Sequence, residues 1–213
     1  VGGTFNGGDS AITINGNFTV TGGSFGSTSG NLTLSGSEIN VTSTFTHHNG
    51  TIYKTGGTAT WKITQPIQNL IINTQGNFTT ISLHVLGNVT ATGWNAHAGE
   101  MIVEGNYLVQ FNSQSTSTGK IIFKGSNNQL LSANGGSGCL SGVEINKNGG
   151  VLTIQDTLSM PLGLVWISGS VVTTGSKVNF NGGSQTIDAA GINFNNVEFN
   201  TQELSSYADH GAF

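Results

Sequence analysis

Arginine is absent from this chain of 213 residues, and all six of its basic residues apart from histidine are lysines. Charged residues make up 8% of the composition, against roughly 25% in an ordinary soluble domain. The formal net charge is −4, and the lysines form no cluster along the sequence. Because recognition of a phosphate backbone needs a basic patch, the composition argues against nucleic acid as a partner.

Long apolar runs and helical periodicity are also missing. No apolar stretch approaches the roughly 20 residues that span a bilayer, so membrane insertion is not expected. Only two prolines occur, and the 33 glycines show no three-residue period, which excludes a collagen-like chain. The sequence starts at Val1 without a methionine or a signal-like segment, and we interpret it as a mature or excised piece.

A single cysteine, Cys139, excludes an internal disulfide framework. The first interpretation is a small buried apolar side chain. Its neighbours are Gly-Gly-Ser-Gly before it and Leu-Ser-Gly after it, a composition typical of an accessible loop. The alternative is therefore an intermolecular disulfide through Cys139 in an assembled extracellular structure.

What is present is a repeated unit, Gly-x-φ-x-φ-x-Gly, in which φ is apolar except at Lys54. The copies are residues 16–22, 30–36, 50–56, 87–93, 99–105 and 119–125, with residues 176–182 as a copy whose first glycine is serine. Each unit predicts one short strand between two glycine corners. One such strand cannot bury its apolar face alone, whereas stacked copies can, so the pattern indicates a coiled repeat architecture.

A longer repeat separates stacked coils from hairpins. Its first half reads G-x-φ-x-F-x-G-x-x-Q-x-φ or close to it. Residues 119–125 lead to Gln129 and Leu131, residues 176–182 lead to Gln185 and Ile187, and residues 50–56 lead to Trp61 and Ile63. Its second half, N-[LV]-x-[IF]-N or close to it, occurs at residues 68–73, 141–146 and 195–200. Asn-Gly pairs between strands suit tight corners, but they also suit type I′ hairpin turns. An antiparallel β-sandwich is therefore the alternative fold.

The predicted fold class is all-β with little or no helix, namely a single-stranded parallel β-helix, or β-solenoid. Residues 1–213 are expected to form one repeat array, with residues 201–213 as a terminal cap or a truncated further repeat. Inward positions should be Phe, Val, Ile and Leu, and outward positions Thr, Asn and Ser. Asparagines at corners are expected to form ladders through their side-chain amides with the coils above and below.

The order of the longer repeat resembles the repeats of large secreted prokaryotic surface proteins with a right-handed parallel β-helix, a group that includes filamentous-haemagglutinin-like and autotransporter passenger domains. The resemblance covers roughly residues 47–200. It implies a right-handed coil and an extracellular, non-catalytic role at the cell surface, as an adhesin, stalk, sheath or filament subunit. It names no ligand.

Some enzymes also have a β-helix fold, and their sites have recognisable residue patterns. Pectate-lyase-like sites resemble an acidic calcium cluster with a basic residue, commonly arginine, and this chain has no arginine. Adjacent aspartates and a Gly-His-Gly segment, as in polygalacturonase-like sites, are absent too. Glu100 and Glu104 would lie about 13 Å apart on a strand, farther than the roughly 5–9.5 Å of a glycosidase pair. No metal or cofactor is expected, because no Cys/His spacing suits zinc.

Two further patterns concern glycans. Six Asn-x-Thr sequons are attributed to composition, with glycosylation as the alternative: Asn17, Asn31, Asn40, Asn49, Asn77 and Asn88. Trp94, in Gly-Trp-Asn-Ala-His, is the best candidate for an exposed aromatic that stacks on a sugar.

The predicted function is that of an extracellular, non-enzymatic structural protein, a subunit or module of a self-assembling filament, sheath or stalk at the cell surface. Its expected partners are copies of itself or neighbouring repeats of a longer chain. The alternative is an adhesin or glycan-binding module that uses residues 93–99 or 135–142. A polysaccharide lyase or hydrolase of β-helix fold is the least favoured function.

Overall fold

The computed structural model describes residues 2–74, 77–93, 97–111 and 118–200. These residues form strands, turns and corners and contain no helix. Accordingly, the described part of the chain has no helix of the length and apolarity that crossing a membrane would require.

The strands are short and follow one another at close intervals. They are β1 (Thr4–Asn6), β2 (Ile12–Ile14), β3 (Phe18–Val20), β4 (Ser24–Gly26), β5 (Asn31–Leu34), β6 (Glu38–Val41), β7 (Thr44–Thr46), β8 (Thr51–Lys54), β9 (Ala59–Ile63), β10 (Asn69–Asn73), β11 (Phe78–Val85), β12 (Val89–Gly93), β13 (His97–Val103), β14 (Tyr107–Val109), β15 (Lys120–Phe123), β16 (Gln129–Ser132), β17 (Ser137–Cys139), β18 (Gly142–Ile154), β19 (Asp156–Ser159), β20 (Gly163–Val172), β21 (Ser176–Phe180), β22 (Thr186–Asp188) and β23 (Val197–Phe199).

Successive coils stack in two long parallel ladders. The first face follows the order β2-β5-β8-β10-β12-β14-β16-β18-β20, and the second face follows β3-β6-β9-β11-β13-β15-β18-β20-β22. Strands β18 and β20 turn a corner and contribute to both faces. All pairings between described strands are parallel. The chain is thus a β-solenoid of about nine turns, as predicted, and the antiparallel sandwich is wrong.

Two smaller sheets close the sides of the solenoid at different places. In the first coils β1-β4-β7 connects the second face to the first, and in the last coils β17-β19-β21-β23 connects the first face to the second. The coils also differ in length: register partners are 18 residues apart at Ile52 and Leu70 but 24 apart at Tyr107 and Leu131. The repeat is therefore structural and irregular rather than a fixed sequence period.

Apolar side chains form columns along the inside of the coils. On the first face Leu32, Ile52, Leu70, Val89 and Tyr107 are register partners in successive coils, and each is buried. Burial of one such side chain stabilises the fold by about 1.5–3 kcal/mol. Because every coil contributes to each column, the core is continuous along the stack.

The glycine-bounded units and the asparagine ladder both appear in the structure. The units at residues 30–36, 50–56 and 119–125 enclose β5, β8 and β15, respectively. Asn69 Oδ1 accepts a hydrogen bond from the backbone N–H of Asn88 at 2.9 Å, and Asn88 Oδ1 accepts one from Asn106 at 2.9 Å. The asparagines thus connect each coil to the next through backbone N–H groups. Residues 201–213, the predicted cap or truncated repeat, lie outside the described residues.

Candidate functional site

Cys139 lies at the end of β17 and is 2% exposed. Its neighbours in the adjacent coil belong to β19, where Ser159 is its register partner. This position suits a small buried apolar side chain. An intermolecular disulfide at Cys139 would require β17 to separate from the solenoid, so the sequence expectation of an accessible loop is wrong for the cysteine itself.

The sequon asparagines lie mainly at exposed corners and strand starts. Those that are exposed are Asn17, Asn31, Asn49, Asn77 and Asn88, whereas Asn40 is half-buried. Asn17 and Asn88 each accept a backbone hydrogen bond from the next coil, which gives them a structural role independent of any glycan. Trp94 lies outside the described residues.

Three polar side chains from three coils meet inside the solenoid around His97. Its Nδ1 lies 3.0 Å from Ser141 Oγ, and its Nε2 lies 3.5 Å from Thr80 Oγ1. All three residues are buried. Burial lowers the pKa of His97 to about 4, because a low-dielectric site disfavours the imidazolium. A Ser–His pair can activate a nucleophile, but no substrate can reach this enclosed pair, so we interpret it as part of the core.

A second buried polar group joins coils at a corner. Lys147 Nζ donates to Asn127 O at 2.9 Å and to Gln129 Oε1 at 2.5 Å. Gln129 Nε2 in turn donates to Val103 O at 3.0 Å and Gly105 O at 2.7 Å. Burial lowers the pKa of Lys147. Gln129 of the longer sequence repeat is therefore an inward corner residue that satisfies carbonyl groups of the preceding coil, whereas Gln185 of the later copy donates to Gly182 O of its own corner at 3.4 Å.

Lys54 occupies an inward position on the first face. It is the register partner of Leu34 and Ile72, both buried, and it is itself fully buried. Its ammonium donates to the carbonyl oxygen of Thr55. Desolvation lowers the pKa of Lys54. Removal of a cation from water is costly even when hydrogen bonds remain, so Lys54 weakens the column in which it lies.

Ionic pairs on the outside of the second face connect neighbouring coils. Lys120 Nζ lies 2.7 Å from Glu144 Oε2 and 3.5 Å from Glu100 Oε1, and the hydrogen bond to Glu144 is the main cause of its raised pKa. His84 Nε2 lies 2.7 Å from Glu104 Oε1. The two closest carboxylates in sequence, Glu100 and Glu104, thus contact different side chains, Lys120 and His84, in different coils and form no acidic pair.

A groove opens on the second face where the ladder between β9 and β11 is interrupted. The ladder ends at the pair Trp61–Thr80, and the next contact between these coils is the bridge between Ile67 and Val85. Pro66 lies in this gap and has no N–H to donate. A bulge in β11 places two residues, Thr80 and Ile81, opposite one position of β13. Such a bulge redirects side chains, and Ile81 is 62% exposed.

The groove has a volume of about 410 Å³ and a mixed lining. It is lined by Lys62, Ile63, Thr64, Gln65, Pro66, Ile81, Ser82, His84 and Ile102. Gln65 Oε1 is buried and has no hydrogen-bond partner in the described part of the protein. Lys62 is exposed and forms no ion pair with a described residue. Sequence analysis missed this groove, because it joins residues about 20 and 40 positions apart in three successive coils.

Both ends of the described solenoid expose aromatic side chains and unpaired strand edges. Phe5 stacks on Phe25 at 4.9 Å between ring centroids and is 48% exposed. At the other end Phe199 stacks on Phe180 at 5.5 Å and is 40% exposed. Within the described residues β2 pairs only with β5, and β3 only with β6. Strand edges of this kind are templates for further pairing.

The described residues contain no group of three or more His, Cys, Asp or Glu side chains arranged to hold a metal ion. His47 and His48 lie at the corner that follows β7, where His48 has a φ of 47°. The backbone N–H of Asn49 donates to His47 Nδ1 at 3.0 Å, so this histidine contributes to the turn.

No protein-family model, no curated protein and no solved structure shows a significant match to this chain. The parallel strand pairing supports the resemblance in repeat order at the level of the fold, the parallel β-solenoid. Its finer content, a secreted surface protein of the filamentous-haemagglutinin-like group, is part of the proposal that follows.

Proposed function

We propose that this protein is an extracellular structural β-solenoid, a subunit or module of a self-assembling filament, sheath or stalk at the cell surface. The observation that carries the proposal is the continuous parallel stack whose described ends expose strand edges and stacked phenylalanines. Pairing with copies of itself, or with neighbouring repeats of a longer chain, would cover both features. The extracellular location follows from the resemblance in repeat order.

The distribution of polar chemistry supports a structural role over a catalytic one. His97 and Ser141, which contact each other, are enclosed in the core. The outward carboxylates Glu100, Glu104 and Glu144 are each within ion-pair distance of a lysine or histidine of another coil. These side chains stabilise the stacking of coils, which is the property that a filament or stalk needs.

The open edge of the first coil provides a direct test of self-assembly. Ile14 O and Val20 O accept hydrogen bonds from the second coil, and successive residues of a strand direct their backbone groups to opposite edges. The N–H groups of Thr13 and Thr19 therefore lie on the open edge. The variant Thr13→Pro/Thr19→Pro removes these donors, whereas Thr13→Val/Thr19→Val keeps them and is the matched control.

Electron microscopy and sedimentation velocity of the purified proteins would measure the outcome. Ordered polymers or sheets are expected for the unmodified chain and the valine variant, and shorter or no polymers for the proline variant. Circular dichroism would establish that the proline variant keeps its β-structure. A monodisperse, unassociated rod for the unmodified chain would refute self-assembly. Equal polymers from all three proteins would refute pairing through this edge.

A second candidate function is an adhesin or glycan-binding module of the same fold. The groove lined by Lys62 and Gln65 favours it, because among the described residues the Lys62 ammonium has no ion-pair partner and the buried Gln65 Oε1 has no hydrogen-bond donor. Residues 135–142, one of the two segments expected to bind glycans, instead contain the buried Cys139 and Leu140. The other segment, residues 93–99, is only partly described.

A further inference from the structure

We infer that the groove between β9 and β11 binds an acidic saccharide, a hexuronate or a sialic acid, whose carboxylate pairs with the Lys62 ammonium. The inference goes beyond the structural role proposed above and does not depend on self-assembly. It rests on the charge of the groove, on its unsatisfied acceptor and on its shape.

Four of the six lysines are buried or form ion pairs with described residues. Lys54 and Lys147 are buried, and Lys120 and Lys177 form ion pairs. Lys62 and Lys124 form no ion pair with a described residue, and of these two only Lys62 lines the groove. An ammonium that is free of carboxylates and lies at the edge of a concave site is a ready partner for an anion.

Neither Glu38, the outward carboxylate of the adjacent strand β6, nor any other carboxylate of a described residue forms an ion pair with Lys62. Glu104 is held by His84 at 2.7 Å, and Glu100, which is the register partner of Ser82, is held by Lys120 at 3.5 Å. A single ammonium flanked by hydroxyl groups suits a carboxylate. Phosphate is more often held by arginine forks or by several cations, and neither is present in the groove.

The remaining lining fits a sugar ring. Gln65 Oε1 is a buried acceptor that no donor of a described residue contacts, and a turn of its amide towards the groove would present it to a ligand hydroxyl. Thr64 and Ser82 add hydroxyl groups, while Pro66, Ile81 and Ile102 offer apolar surface for the C–H face of a ring. The volume of about 410 Å³ is within the range of roughly 300–1,000 Å³ that is common for ligand sites.

The experiment is an NMR titration of the ¹⁵N-labelled protein with two acidic probes and their neutral counterparts. The probes are tetragalacturonate against its methyl ester, and sialyllactose against lactose. We expect at least one acidic probe to shift the amide signals of residues 62–65 and 81–84, with its neutral counterpart binding at least about tenfold more weakly, equal to about 1.4 kcal/mol. Added salt should weaken binding, because the groove is open to solvent.

Two variants in the groove and one control outside it test whether the probes bind at this site. Lys62→Ala should weaken binding of the acidic probe by about tenfold or more, and Gln65→Leu should weaken binding of both acidic and neutral forms. Lys124→Ala, which removes the other unpaired lysine outside the groove, should leave binding unchanged. The inference is overturned if neither acidic probe binds, if neutral probes bind equally well, or if Lys124→Ala has the same effect as Lys62→Ala. Electron microscopy of the same variants reports on assembly separately, so failure of one proposal is distinguishable from failure of the other.

Discussion

Protonation of His97 should destabilise this protein as the pH falls from neutral to about 4. His97 is fully buried between coils, and its pKa falls from the ordinary value of 6.5 to about 4. The unfolded chain therefore binds a proton between these two pH values that the folded protein does not bind. Stability is fully present above the unfolded pKa and is lost progressively as the pH falls towards the folded pKa.

The magnitude follows from the two pKa values. For one group with an unfolded pKa of 6.5 and a folded pKa of about 4, the free energy of unfolding should fall by about 3 kcal/mol between about pH 7 and about pH 4. The loss is a sizeable part of a stability that is typically about 5–15 kcal/mol. Asp156, whose carboxylate accepts a hydrogen bond from Ser132, and Glu198, which pairs with Lys177, also have lowered pKa values. Their contributions are lost as the pH falls through their ordinary values of 3.8 and 4.5, so the lower end of this window contains a carboxylate component that a change at His97 does not remove.

The assay is urea unfolding of the unmodified chain and of His97→Gln at several pH values across the window. Glutamine stays neutral, so the variant should lack this part of the pH dependence, whatever packing energy it loses at neutral pH. His48→Asn, a change at an exposed corner, is the control for general effects of histidine removal. Parallel pH profiles for the unmodified chain and His97→Gln would refute the reasoning. So would an NMR titration in which His97 of the folded protein titrates near 6.5.

Two further predictions concern a buried lysine and two glycines with positive φ. Lys54→Met should raise the free energy of unfolding in urea by about 1–2 kcal/mol, because it removes a buried cation with little change in volume. The control Lys62→Met, at an exposed position, should change the free energy of unfolding by less than about 0.5 kcal/mol. A lower stability of Lys54→Met would contradict the cost assigned to burial of the ammonium. Gly99→Ala should cost more than about 2 kcal/mol, since the added methyl group would overlap Thr80 O at a φ of 86°. Gly175→Ala, at a φ of 78° with open space around it, should cost only about 1–2 kcal/mol, and equal losses at the two glycines would show that the overlap relaxes freely.

The strand units could be predicted from the sequence because their signal is local. Glycine corners and period-two alternation lie within seven residues, and the units at residues 30–36 and 50–56 became β5 and β8. The period-two alternation within the unit also predicts that one lysine faces inward. In the unit 50–56 the two inward positions are Ile52 and Lys54, and both are buried. The asparagine ladder could also be predicted, because corner residues of successive coils lie above one another.

The groove could not be predicted in this way, because its cause is a mismatch between coils. Pro66 and the bulge at Ile81 belong to successive coils, and each is unremarkable within its own segment. Only their alignment interrupts the ladder between Trp61–Thr80 and Ile67–Val85. Coil lengths that vary from 18 to 24 residues remove the fixed period from which such an alignment could be calculated. The two side sheets escaped prediction for the same reason.

The buried polar groups determine how each coil aligns with the next, which the apolar columns alone would not determine. Apolar and polar residues alternate along the strands, so a slip of one coil by two residues would still place apolar side chains inside. Such a slip would move Lys147 Nζ away from Asn127 O and Gln129 Oε1, and His97 away from Ser141 Oγ. A buried ammonium or imidazole without these partners is strongly disfavoured. In a chain with so few charges, the polar residues inside the solenoid therefore distinguish between alignments of the coils.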